Sequence, residues 1–248
     1  MPLVSRVIAG VSRRLGRPEL LAAVYPGARQ ALHEEIAISA VLASTLRSDA
    51  TYVDVGANRG QVLGEAVRVA PTGRHVAFEP ILSLAAQVAR SFPQVDCRQM
   101  ALGAHAGTEE FCHFRTLDGW SGLRRSPEIS DERGDPEYIT VQVSTLDAEI
   151  GELRPGVIKI DVEGAERDVL EGARSVLSES RPVVIFEHVA SAAALYGAPP
   201  AACWDLLVEL GYRVFSVTGD GPFTRSAFAE NTLIVNWLAI PDARVAER

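Results

Sequence analysis

From about residue 49 onward, short apolar runs alternate with stretches of helical periodicity, and this alternation predicts the fold. Residues 51–55 read as a strand, followed by a glycine turn and a helix over 61–69. A second strand at 75–78 precedes a helix over 82–90, and residues 95–102 form a third, more polar strand. The fourth strand, 157–162, is almost purely apolar and leads into a helix over 165–177. A fifth strand at 183–187, a helix at 201–210 and two strands at 212–217 and 232–238 close the pattern. Apolar strands separated by amphipathic helices mark a parallel sheet covered on both faces.

Between the third and fourth strands the rhythm breaks. Residues 109–114 and 138–143 read as an antiparallel pair joined by the polar segment 115–137. A connection of that length inside a compact domain is functional or disordered. It is expected to be a lid on the substrate side, with Trp120 and Arg124 reaching the acceptor. Residues 1–48 are expected to be an N-terminal helical segment and 49–241 the catalytic domain. Val4, Val7, Ile8 and Val11 share one helical face near the start, and residues 33–46 have helical periodicity. The first segment is expected to pack on the domain or on a second copy in a homodimer; an interfacial anchor is the second reading.

Composition narrows the class. The chain has 248 residues and a net charge of −8, which argues against a duplex nucleic-acid partner, since phosphate binding needs clustered Lys and Arg. Cys97, Cys112 and Cys203 form no CxxC pair, so a disulfide framework or structural zinc is not expected and a cytoplasmic location fits. Arg6, Arg13 and Arg14 interrupt any signal-like run, and the longest apolar run, 36–43 apart from Ser39, is too short to span a bilayer. Lys159 is the only lysine, hence the only candidate for lysine-based covalent chemistry.

The first strand ends in Asp54-Val-Gly-Ala-Asn-Arg-Gly60. Gly56 and Gly60 let the backbone turn tightly and approach a ligand, and Asp54 brings a carboxylate to where a ligand ammonium would lie. This is not the dinucleotide fingerprint, because Asn58 holds its central position. The second strand ends in Phe78-Glu79-Pro80, where an acid can accept both hydroxyls of a ribose.

The runs DVGANRG, AFEP, TLD at 145–147 and IKIDVEGAE at 158–166 together resemble the FkbM-type methyltransferase family over roughly residues 52–188, and weakly to 237. The resemblance implies an α/β, Rossmann-like class I methyltransferase: a seven-stranded, mostly parallel sheet with helices on both faces and a β-hairpin or lid insertion. It implies S-adenosylmethionine across the carboxyl ends of strands one, two and four. Asp54, Gly56, Ala57, Asn58 and Gly60 would line the methionine part and Glu79, with Pro80, the ribose. Met100, Ala101 and Leu102 would flank the adenine, and Asp161 would close the site. The implied acceptor is a hydroxyl of a small molecule such as a sugar, glycolipid or natural-product precursor.

Oxygen methylation requires the acceptor to lose a proton, and the carboxyl ends of strands four and five carry the candidates. His188 is the expected general base, with Asp161 and Glu187 as its partners. Asp161, Glu187 and His188 could also hold a divalent cation such as magnesium, although a metal-free hydrogen-bonded cluster is the preferred reading. Glu163 and Glu166 could cap the next helix, the preferred role for Glu166, and Asp147 another. His33, His75, His105 and His113 read as surface or packing residues, Trp204 and Trp237 as core. A nicotinamide-dependent oxidoreductase and a non-catalytic nucleoside-binding protein stand as alternatives.

Overall fold

The computed structural model describes residues 26–115, 119, 121–125 and 136–242. Val4, Val7, Ile8, Val11, Trp120 and much of the expected lid lie outside them. Among the described residues are ten strands: β1 (Thr51–Val55), β2 (Val76–Phe78), β3 (Asp96–Arg98), β4 (Ala101–Leu102), β5 (Gly107–His113), β6 (Glu137–Ser144), β7 (Pro155–Ile160), β8 (Val183–Glu187), β9 (Tyr212–Ser216) and β10 (Asn236–Pro241). Seven of them form one sheet in the order β3-β2-β1-β7-β8-β10-β9. All its pairings are parallel except those of β10, which runs antiparallel to β8 and β9. This is the expected Rossmann-like sheet, and its strand order reverses at β1, where open α/β sheets bind ligands.

β1 and β8 are buried at every position, as strands covered on both faces must be. Side chains alternate between two cores. Val53, Val55, Ile158, Ile160, Val184 and Phe186 pack against the helices Glu166–Glu171, Arg174–Glu179 and Ala202–Glu209. Tyr52, Val157, Val183 and Ile185 pack against Leu42 and Leu63 from the helices Pro26–Thr45 and Gln61–Val69. By the same period of two, Asp54, Lys159 and Glu187 stand on that second face. There the sheet ends polar. Among the described residues, no helix is long and apolar enough to cross a membrane.

The insertion is a three-stranded sheet, β4-β6-β5, larger than the expected hairpin. The expected third strand divides: β3 pairs with β2, whereas β4 pairs with β6. Its polar first half, Asp96-Cys97-Arg98, stays as an edge strand of the main sheet, and a tight turn closed by the Met100 N–H on the Arg98 carbonyl oxygen redirects the apolar Ala101-Leu102 into the insertion. The helix expected over 165–177 breaks at Gly172, whose backbone meets Gly103 so closely that a Cβ would sit 2.1 Å from the Gly103 carbonyl oxygen. Asp147 restarts the helix by accepting the backbone N–H groups of Ser175 and Val176, each at 2.9 Å. That is a capping role. The last strand begins at Asn236 rather than 232, because the Asn231 side chain holds Leu233 and Ile234 in a local turn.

Candidate functional site

A cavity of about 490 Å³ opens at the carboxyl ends of β1, β2, β7 and β8. The turn after β1 forms its floor. Gly56 has φ 79°, and a Cβ there would lie 1.9 Å from the Asp161 carbonyl oxygen, so only glycine lets β1 and β7 exit side by side. Its N–H and that of Ala57 both donate to the Phe78 carbonyl oxygen, at 3.0 and 3.1 Å. Asn58 follows at φ 49°, a left-handed conformation that asparagine tolerates, and Gly60 at φ 74° completes the bend.

Glu79 locks that bend to β2. Its Oε2 accepts from the Asn58 N–H at 2.8 Å and its Oε1 from the Ile81 N–H at 2.9 Å. The carboxylate is thereby fixed at the cavity wall. Met100, Ala101, Leu102, Ile81 and Phe111 extend the same wall as an apolar slot.

Asp54 is 1% exposed, and its Oδ1 has no hydrogen-bond partner among the described residues. Burial raises its pKa to about 6; the Lys159 ammonium opposes that rise, Asp161 adds to it, and the Tyr52 hydroxyl on the same strand, near enough to donate to the carboxyl, opposes it least. An orphaned carboxylate oxygen beside a glycine bend fits a ligand cation, because leaving such a group unpaired is costly.

On the other side stand the acids of β7 and β8. Lys159 Nζ donates to Asp161 Oδ2 at 2.9 Å. Carboxylate oxygens of Asp161, Glu163 and Glu187 come within 4.8 Å of one another. Glu163 therefore lines the cavity rather than capping a helix, and its φ of 55° shows a turn held under constraint. The holder is Glu166, whose Oε1 accepts the N–H groups of Val162 at 3.2 Å and Gly164 at 3.0 Å. Glu166 thus binds the amides preceding its helix. Burial pushes its pKa up to about 8, against the pull of those N–H donors.

His188 departs from expectation. Its Nε2 lies 3.0 Å from the Pro200 carbonyl oxygen, its Nδ1 3.8 Å from Cys203 Sγ, and its ring stacks on Phe228 at 4.9 Å. The side chain is buried and is not among the cavity-lining residues. Residues 187 and 188 follow one another along a strand, so their side chains point to opposite faces: Glu187 enters the cavity and His188 enters the core. The expected base and the expected Asp161–Glu187–His188 cation set are corrected accordingly; Glu163 takes the place of the imidazole in the cluster. His75 is also structural, accepting the Tyr52 N–H at Nδ1 and meeting the Ala70 carbonyl oxygen at Nε2.

Several lining residues were invisible to sequence reasoning. Asn236 opens β10 directly opposite Glu187, and its Nδ2 donates to Glu34 Oε2 at 2.8 Å. Glu34, Glu35 and Ile38 bring the helix Pro26–Thr45 over the cavity, so part of the expected N-terminal segment belongs to the site. Of the insertion, Gly119, Ser121 and Leu123 reach the cavity, and Gly122 is paired to Cys112 through two backbone hydrogen bonds. The Arg124 N–H instead donates to the Tyr196 hydroxyl at 3.1 Å.

Similarity to known proteins runs in the same direction. In an alignment 207 positions long that covers 68% of this chain, it is 30% identical to the AMB antimetabolite synthetase AmbE of Pseudomonas aeruginosa, of which it spans 10%. In one 161 positions long that covers 52% of this chain, it is 29% identical to the methyltransferase sdnD of Sordaria araneosa, of which it spans 62%. The chain thus spans less than two thirds of either relative. The crystal structure of methyltransferase FkbM from Methylobacillus flagellatus aligns with 79% of this chain and 44% of its own, at 18% identity and a TM-score of 0.49. The model of the methyltransferase FkbM domain matches residues 54–214, from the orphaned carboxylate of β1 into β9, and the chain belongs to that family.

Proposed function

We propose that the chain is an S-adenosylmethionine-dependent O-methyltransferase acting on a hydroxyl group of a small molecule. The observation that carries this reading is the pair of acids at opposite ends of one glycine bend. Asp54 presents an orphaned oxygen at the end of β1, and Glu79 a carboxylate pinned to the Asn58 N–H. The two fit the ammonium and the ribose hydroxyls of the cofactor respectively, with Met100, Ala101 and Leu102 along the adenine. When bound, S-adenosylmethionine supplies a sulfonium methyl, and its transfer to oxygen leaves S-adenosylhomocysteine, an ether and one proton.

The chain's own residues then have two tasks, alignment of the hydroxyl and removal of that proton. Asp161 is committed through Oδ2 to Lys159, so Glu187 is the residue we assign as proton acceptor, with Glu163 and Asn236 orienting the acceptor. The Lys159 ammonium already gives this acidic cluster a counter-charge, which favours transfer without a metal ion. A small-molecule acceptor is supported by the name of one relative, an antimetabolite synthetase.

Calorimetric titration with S-adenosylmethionine, S-adenosylhomocysteine and NAD tests the cofactor, and transfer of labelled methyl into a panel of hydroxylated sugars, polyketide alcohols and their amine analogues tests the acceptor. Binding of NAD without either sulfur nucleoside would overturn the reading. Label appearing only in amines would overturn the oxygen assignment.

A further inference from the structure

Lys159 is the chain's only lysine, and it is buried at 6% exposure on the central strand β7. It pairs in register with Asp54 on β1 and with Ile185 on β8, in a face that is apolar below it through Tyr52, Val157, Ile185 and Leu238 and acidic at its end through Asp54 and Glu187. An apolar side chain would suit that face at least as well for stability, since removing an ammonium from water costs several kcal/mol that pairing only offsets. The position of the charge explains its presence. Its Nζ donates to Asp161 Oδ2 at 2.9 Å, and Asp54 pairs with Lys159 across β1 and β7, so one cation bonds the carboxylate that follows β7 and acts through its field on the one of β1.

We propose that Lys159 is a positioning residue for cofactor binding: from beneath the cavity its ammonium orients Asp54 and Asp161 and lets both carry negative charge toward the ligand. The inference rests on the S-adenosylmethionine reading of the cavity. Burial favours a neutral Asp54, and Asp161 reinforces that preference; the Lys159 ammonium is the main group opposing it and leaves the pKa at about 6. At pH 7 the carboxylate is ionised with little margin. Without the ammonium it would take up a proton and lose its attraction for a ligand cation. Lys159 itself stays charged: burial lowers its affinity for a proton, but Asp161, Asp54 and Glu187 more than restore it.

Apart from Arg59 on the bend after β1 and His75 beside Tyr52, the titratable groups around this pair are acids or weak acids. Tyr52 stands beside Asp54 on β1, with Glu65 acting on it from the helix Gln61–Val69. Cys97 on β3 lies within the fields of Glu79 and Asp54, and Glu34 and Glu35 line the cavity from the helix Pro26–Thr45. None of these acids can replace a positive charge acting on both Asp54 and Asp161.

The test is calorimetric titration with S-adenosylmethionine and S-adenosylhomocysteine from pH 5.5 to 8.5, on the wild type, Lys159→Met and Lys159→Arg. Wild-type affinity should fall as the pH drops through about 6, where Asp54 gains its proton. Lys159→Met should bind both nucleosides at least tenfold more weakly at pH 7, with the acid limb moved at least one pH unit toward neutrality. Lys159→Arg should keep the limb near its wild-type position. Should thermal melting show that the methionine variant does not fold, Lys159→Gln replaces it, since its amide can still donate to Asp161 without carrying charge. Unchanged or tighter binding with an unmoved limb in a folded neutral variant overturns the role of Lys159 and leaves the methyltransferase reading intact. A wild type that binds neither nucleoside at any pH overturns both.

Discussion

The Glu79 carboxylate is bonded to the backbone of Asn58, 21 residues earlier, at 2.8 Å, so the acid ending β2 and the bend following β1 form one rigid unit. Substitution should therefore affect ligand affinity and bend geometry together. Glu79→Gln would turn an NH₂ group toward the N–H of either Asn58 or Ile81, and Glu79→Ala would leave both donors unpaired. Both variants are expected to bind S-adenosylhomocysteine at least tenfold more weakly by calorimetry, about 1.4 kcal/mol, with alanine the weaker. Wild-type affinity in folded Glu79→Ala would remove Glu79 from the ribose site.

Glu187→Gln addresses the chemistry separately from binding. If Glu187 takes the acceptor's proton, the amide should cut kcat by a factor of about 10² or more while the cofactor affinity changes little. Steady-state rates on the best acceptor of the panel, read beside calorimetry, make the comparison. A parallel loss of affinity and kcat would assign Glu187 to binding instead.

The neighbouring residue should behave in the opposite way. His188 is bonded to Pro200, lies beside Cys203 and is stacked on Phe228, so its loss removes packing and a buried polar contact. His188→Ala is expected to lower the melting temperature, through a cost of about 1–3 kcal/mol, and to leave kcat within a few-fold of wild type. Collapse of kcat in a variant that melts normally would return the imidazole to the chemistry.

The contrast between Glu187 and His188 shows how far the sequence was legible. The succession of strands and helices, the glycine bend and the two acids at strand ends follow from local signals: apolar runs, Gly56 and Gly60, and an acid at each strand end. Placing a base requires the phase of the strand as well, and a fully apolar strand such as VVIF gives no alternation from which to read it. Lys159 could have supplied that phase, since a lone charge in IKI marks one face of β7, and parallel pairing carries the mark to Glu187. Asn236 and Glu34 left no such trace. They meet across 202 residues, and only the antiparallel docking of β10 brings them together.

Glu166 offers a pH-dependent test of the turn that presents Glu163. Burial raises its carboxyl from 4.5 to about 8, so the folded state holds the proton more tightly than the unfolded chain does. Its contribution is therefore most favourable below about 4.5 and is lost as the pH climbs toward 8, at up to about 1.4 kcal/mol per unit. Asp54 follows the same sign with a window that closes near pH 6, and the lowered pKa values of buried His75 and His188 act near neutrality, so the difference between wild type and a non-ionising variant isolates Glu166. Glu166→Gln keeps an oxygen for the N–H groups of Val162 and Gly164 and cannot ionise. Thermal melts of wild type and variant should lie closest together near pH 4.5 and diverge further between pH 6 and pH 8, with Glu166→Gln the more stable. Parallel melting curves across that interval would mean that the buried carboxyl is already ionised at pH 6, and that the N–H groups of the turn outweigh its burial.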